Sequence, residues 1–245
     1  MKRKLITIFL ILAFALDGIL TIRHPNTNSD TLQTPQIQTP ESISKELMIH
    51  TYIKELKELG IDATAIEDEI IASFQDYPPE IAESMNEQNI FGMILEYYDL
   101  KAQTTATDPD SVQPKMFFAF DFEYMDPETI YTDFLNSFAE LTSDEIIITD
   151  ITEDTSKVDY ETGTGTQTVS FQCNGKNYRF DANAQQDWFD SEMLTFMGKV
   201  VSDQHTGKNL YVTSDGYQEC IIFYQTQEWA DRFTNAFHNI EFSRL

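Results

Sequence analysis

The pattern of apolar and polar positions begins with a run from Leu5 to Leu16 (LITIFLILAFAL), directly after Lys2, Arg3 and Lys4. Basic residues ahead of such a run are the layout of a secretory signal. Ala13-Phe14-Ala15 supplies a cleavage motif, yet apolar character resumes at Ile19, Leu20 and Ile22. Counted to Ile22, the segment approaches the ~20 residues that span a bilayer, with Asp17 as its one costly member. Residues 1–22 therefore read as a signal peptide or an N-terminal membrane anchor. The expected location is extracytoplasmic, secreted or held at the membrane by that segment alone. Residues 23–41 are polar and rich in Thr, Gln, Asn and Pro, without helical or strand period. They bury too little to offset chain entropy and read as a disordered stalk.

Helical periodicity fills residues 42–102. Ser42 or Ser44 can cap a helix carrying Ile49, Tyr52, Ile53, Leu56 and Leu59, with Gly60 as its stop. Asp62 can cap a second helix with Ile66, Ile70 and Phe74 on one face. Pro78-Pro79 opens a third, longer helix through Ile81, Met85, Ile94, Leu95 and Tyr98. Gln103 to Pro114 reads as a loop that separates this helical subdomain from an α+β domain over 115–245.

From Lys115 the period falls to two. Phe118, Phe120, Phe122 and Tyr124 define a strand with one aromatic face. Asp126-Pro127-Glu128 predicts the start of a helix through Ile130, Phe134, Leu135 and Phe138. A strand at 145–151 follows, then a polar, glycine-containing loop over 155–166.

Residues 169–196 and 210–237 superpose without a gap at an offset of 41 positions. Asn174-Gly175 falls on Asp215-Gly216, both hairpin-turn sequences. The only two tryptophans fall together, within Gln186-Asp187-Trp188-Phe189-Asp190 and Gln227-Glu228-Trp229-Ala230-Asp231. Phe196 and Phe237 follow at equal spacing. Each copy reads as strand–turn–strand–helix, at about 166–200 and 207–240. The fold class expected is α+β: an N-terminal helical subdomain, then an antiparallel-sheet region with a tandem ββα duplication and helices on one face. Each tryptophan is read either as core at a helix start or as an exposed aromatic–acid platform. On the second reading Trp188, Asp190, Trp229 and Asp231 are the candidate ligand-binding residues for a basic or sugar-like ligand.

Charge narrows the partners. The chain carries 41 acidic against 16 basic residues, a formal net charge of −25. A field of that sign disfavours nucleic acid and favours a basic protein or peptide, unless it serves only solubility. Candidate chemistry adds little. His24, His50, His205 and His238 are scattered without metal-ligand spacing. No nucleophile, phosphate-loop or dinucleotide motif occurs. Asp150, Thr152, Asp154, Ser156 and Glu161 match part of a calcium-loop template that lacks its glycine, with Thr155 in that place. No cofactor or metal is expected. Cys173 and Cys220 are either a disulfide or two buried thiols. The reading is an exported or membrane-anchored acidic binding protein, with a non-enzyme favoured. The alternatives are a carboxylate-dependent exported hydrolase and an inhibitor occupying a basic site on a partner.

Overall fold

The computed structural model describes residues 40–105, 115–123 and 126–245. The signal or anchor segment and most of the stalk lie outside the described residues. Helix α1 (Pro40–Glu58) opens the described chain, inside the end of the stretch read as stalk. Its apolar face, Ile49, Ile53 and Leu56, is buried. Gly60 ends it at φ +93°, and the Ile61 N–H returns to the Leu56 carbonyl at 2.9 Å. That left-handed cap is what glycine supplies without strain. Asp62 accepts the Thr64 N–H at 3.1 Å and starts a short 3₁₀ turn, from which α2 (Glu67–Gln75) continues.

The expected long third helix is two. Helix α3 (Pro79–Ser84) stops where Met85 turns extended, and α4 (Glu87–Thr105) restarts two residues later. The break is fixed by a reciprocal pair. Asn86 N–H donates to Asn89 Oδ1 at 2.9 Å, and Asn89 N–H to Asn86 Oδ1 at 3.0 Å. Side chains that satisfy the orphan donors of a helix start make a break stable.

Strand β1 (Phe117–Asp121) leads to α5 (Ile130–Thr142). Strands β2 (Ile148–Asp159), β3 (Thr164–Cys173) and β4 (Lys176–Asn183) form a three-stranded antiparallel sheet in that order. Much of the polar stretch expected as a loop is thus a β2–β3 hairpin turning at Gly163, φ +66°. Helix α6 (Glu192–Asp203) follows. Strands β5 (Lys208–Ser214) and β6 (Glu219–Thr226), helix α7 (Gln227–Ala236) and β7 (Ser243–Arg244) complete the chain. Here the sheet order is β1-β6-β5-β7, again antiparallel. The chain is α+β, a helical N-terminal region followed by antiparallel sheets.

The four-stranded sheet is buried on both faces. Phe117, Ile221 and Phe223 join α1, α2, α4 and α7 in one core. Phe118, Phe120, Cys220, Ile222 and Tyr224 join α5, α6 and the inner face of β3 in a second. β1 therefore has two aromatic faces rather than one, and its unbroken FFAF run is the signature of a strand covered on both sides.

Each proposed repeat is strand–turn–strand–helix, as the pattern suggested, but the copies do not join into one sheet. The first hairpin, β3–β4, belongs to the three-stranded sheet and the second, β5–β6, to the four-stranded sheet. Nor do their helices share a face: Met193, Met197 and Val200 of α6 enter one core, Trp229, Ala230 and Phe233 of α7 the other. The reason is strand order. β1 and β7 already occupy both edges of β5–β6, leaving no edge for β3 or β4. The turns differ too. Asn174-Gly175, at φ +49° and +79°, closes a two-residue loop between Cys173 and Lys176. At Asp215 the side chain accepts the N–H groups of Tyr217 and Glu219 at 2.8 and 3.1 Å, which holds a longer loop.

Candidate functional site

The four residues singled out by the repeat have separate fates. Trp229 lies in the first turn of α7, 7% exposed, and its indole N–H donates to the Leu59 carbonyl at 2.9 Å. Its own main-chain N–H is capped by Thr226 Oγ1 at 3.2 Å. Asp231 accepts from Gln227 Nε2 on the same helix at 2.8 Å. Asp190 is 4% exposed and fully occupied. Its Oδ2 accepts the Asn183 N–H and Nδ2, and its Oδ1 accepts the Glu192 N–H at 3.0 Å. It joins the end of β4 to the start of α6, a structural task. Trp229 and Asp190 are thus buried in the architecture, while Asp231 stays exposed on the surface of α7. Trp188 alone presents its ring to solvent, at 42% exposure.

Trp188 escapes burial because its helix starts late. α7 begins at Gln227, before Trp229, whereas α6 begins at Glu192, after Trp188. Between β4 and α6 the chain runs beside the end of β1 instead. Glu123 pairs with Trp188 in an isolated antiparallel bridge, and Phe189 N–H donates to the Phe122 carbonyl at 2.7 Å. Phe189 then anchors the segment, stacking on Phe122 at 5.7 Å between ring centroids.

The strand ends beside this segment carry carboxylates. Asp121, the last residue of β1, stands opposite Glu219, the first of β6. Asp121 Oδ1 accepts the Glu123 N–H at 2.9 Å, and its Oδ2 accepts Gln218 Nε2 at 3.3 Å. Asp215, 4% exposed, lies in the adjoining loop. α4 is pressed against that loop: a Cβ on Gly92 would stand 2.4 Å from the Asp215 Cα. One turn further along α4 is Glu96. Desolvation, reinforced by Glu219, Asp215 and Asp121, pushes the Glu96 carboxyl well above its ordinary range. Burial likewise raises Asp121, with Glu123 and Asp215 adding to it, and raises Asp215. Among the described residues, no Lys or Arg ion pair reaches Glu96, Asp121 or Asp215.

On the other side of the β5–β6 loop is an open groove of about 530 Å³ lined by Glu87, Gln88, Ser214, Tyr217, Asn239 and Glu241. Its polar groups largely bond one another. Asn239 Nδ2 donates to Glu87 Oε2 at 3.1 Å, and Glu241 N–H to Gln88 Oε1 at 2.8 Å.

Other sequence candidates resolve plainly. Cys173 and Cys220 are free and buried, and burial pushes their thiols up to about 11 and about 12. A thiol so protonated is a poor nucleophile. Four of the calcium-template residues, Asp150, Thr152, Asp154 and Ser156, lie along β2, and Glu161 lies in the turn after it. At ~3.3 Å rise per residue, Asp150 and Ser156 are too far apart to converge on one ion. Among the described residues, no group of three or more His, Cys, Asp or Glu side chains is arranged to hold a metal ion. No helix among them is long and apolar enough to cross a membrane.

Comparison with protein families, curated proteins and solved structures finds no match to this chain.

Proposed function

We propose that this is an acidic binding protein, exported or membrane-anchored through its basic–apolar N-terminus, that takes a cationic peptide at the Trp188 end of the sheet. The observation that carries the reading is the exposure of Trp188 beside Glu123 and Asp187, whereas its counterpart Trp229 is sealed in a core. An exposed indole flanked by carboxylates suits an ammonium or guanidinium group. The ring face attracts the cation by about 0.5–1 kcal/mol at a solvated site. The half-buried Glu123 and Asp187 beside it add attraction of the same sign. Affinity would come from several such contacts along a peptide, drawn in by the −25 net charge.

Tryptophan emission during titration with an oligolysine peptide at low salt tests this. The expected result is reduced iodide quenching in the native chain, no change in Trp188→Phe, and reversal at high salt, where exposed charge pairs are screened. Emission that stays flat to millimolar peptide at low salt would sink the proposal.

A further inference from the structure

Among the described residues, strand β4 has no backbone partner on one of its sides. It is the terminal strand of its sheet, paired with β3 from Thr166↔Asn183 to Cys173↔Lys176. Ala184 N–H donates to the Gly165 carbonyl at 3.0 Å, which sets the parity of the ladder. Even-numbered residues of β4 turn their main-chain groups toward β3, and odd-numbered residues turn theirs outward. Asn183 fits this parity: its outward N–H is taken by Asp190 Oδ2 at 2.8 Å. The N–H and C=O groups of Asn177, Arg179 and Asp181 remain along a regular edge.

The other edges differ. β2 is interrupted by register shifts between Thr149 and Thr152 and between Asp154 and Lys157, the kind of bulge that blunts an edge. β7 spans two residues and β1 five. β4 runs for eight residues without a bulge. Charged side chains on an edge ordinarily discourage pairing. Here they are placed to complement a copy of themselves.

We propose that β4 pairs antiparallel with β4 of a second copy of this chain, about a two-fold axis at Phe180, giving a continuous six-stranded sheet. The outward parity permits three neighbouring registers. Centring on Arg179 sets two guanidinium groups face to face, and centring on Asp181 sets two carboxylates face to face. Centring on Phe180 places Arg179 opposite Asp181 of the partner, twice. Both residues lie on the outer face, where Arg179 Nη2 already meets Asp181 Oδ1 of its own chain at 2.8 Å. The dimer closes these into a ring of four alternating charges. Arg179–Asp181 would be a hydrogen-bonded pair, so its backbone groups meet directly and carry the ladder, because the Asn183 N–H opposite Asn177 stays with Asp190. Phe180 would face its symmetry mate at a non-hydrogen-bonded position, where opposing side chains come closest. Such an interface uses the same patch on both subunits and closes as a two-fold dimer.

The test is sedimentation equilibrium of the full chain in detergent solution over a range of concentrations, with circular dichroism confirming the fold of each variant. A concentration-dependent dimer is expected. Arg179→Asp should weaken it by about tenfold, since two opposing charge pairs become repulsive. The double swap Arg179→Asp with Asp181→Arg should restore it, which association through the N-terminal segment would not do. Phe180→Cys should form a disulfide-linked dimer on oxidation. A monomer throughout, or self-association unaltered by Arg179→Asp, would overturn the proposal.

Discussion

The indole N–H of Trp229 donates to the main-chain carbonyl of Leu59 across 170 positions of sequence, at 2.9 Å. It ties the start of α7 to the turn after α1, so the helical N-terminal region and the C-terminal strands share one core. The two tryptophans, matched in sequence, therefore report opposite environments.

That contrast is measurable. Trp188→Phe should leave blue-shifted emission resistant to iodide, from Trp229. Trp229→Phe should leave red-shifted, quenchable emission from Trp188. The second change should also lower stability by about 1–3 kcal/mol, because it strands a buried carbonyl. Urea unfolding followed by circular dichroism gives that number. Equal quenching of the two variants would refute the assignment.

Gly92→Ala should destabilise the fold despite alanine's better helix propensity. The added Cβ would lie 2.4 Å from the Asp215 Cα, a main-chain atom that cannot step aside alone. The helix gains at most about 1 kcal/mol from alanine, whereas overpacking costs ~1–3 kcal/mol. A lower denaturation midpoint at unchanged slope is the expected result.

Glu96→Gln should stabilise the protein at neutral and alkaline pH. Burial among Glu219, Asp215 and Asp121 raises the folded-state pKa of Glu96 above its ordinary value of 4.5. The folded state therefore holds the proton more tightly than the unfolded chain does. Its contribution is present at low pH and is lost as pH rises from 4.5 through the raised value. The glutamine variant should show a flatter stability–pH profile between 4.5 and the raised value. A profile parallel to that of the native chain would refute the raised pKa.

How much could be read beforehand depended on range. Gly60, the Ile49–Leu56 stripe and the Asn174-Gly175 turn are local rules, and each appears where the pattern put it. The break at Met85–Asn86 shows in the sequence only as Asn86, an N-cap residue set within an apolar pattern that continues on both sides. Asp215-Gly216 resembles a two-residue turn, but the Asp215 carboxylate gathers two main-chain N–H groups and lengthens the loop. The equal spacing of Trp188 and Trp229 concealed different helix starts. The acidic strand ends were illegible. Glu96, Asp121 and the Asp215–Glu219 turn come from three distant segments that only sheet order and the Gly92 contact bring together.

β6 sends Ile221 and Phe223 into one core and Cys220, Ile222 and Tyr224 into the other, and pairs with β1 from Phe117↔Phe223 to Asp121↔Glu219. During synthesis neither core can close until this strand has been made. Until then α1, α2 and α4 can pack on one another but lack the sheet that completes their core. High contact order of this kind slows folding. It also makes β6 a checkpoint, because a nascent chain cut short before it lacks the common wall of both cores at once.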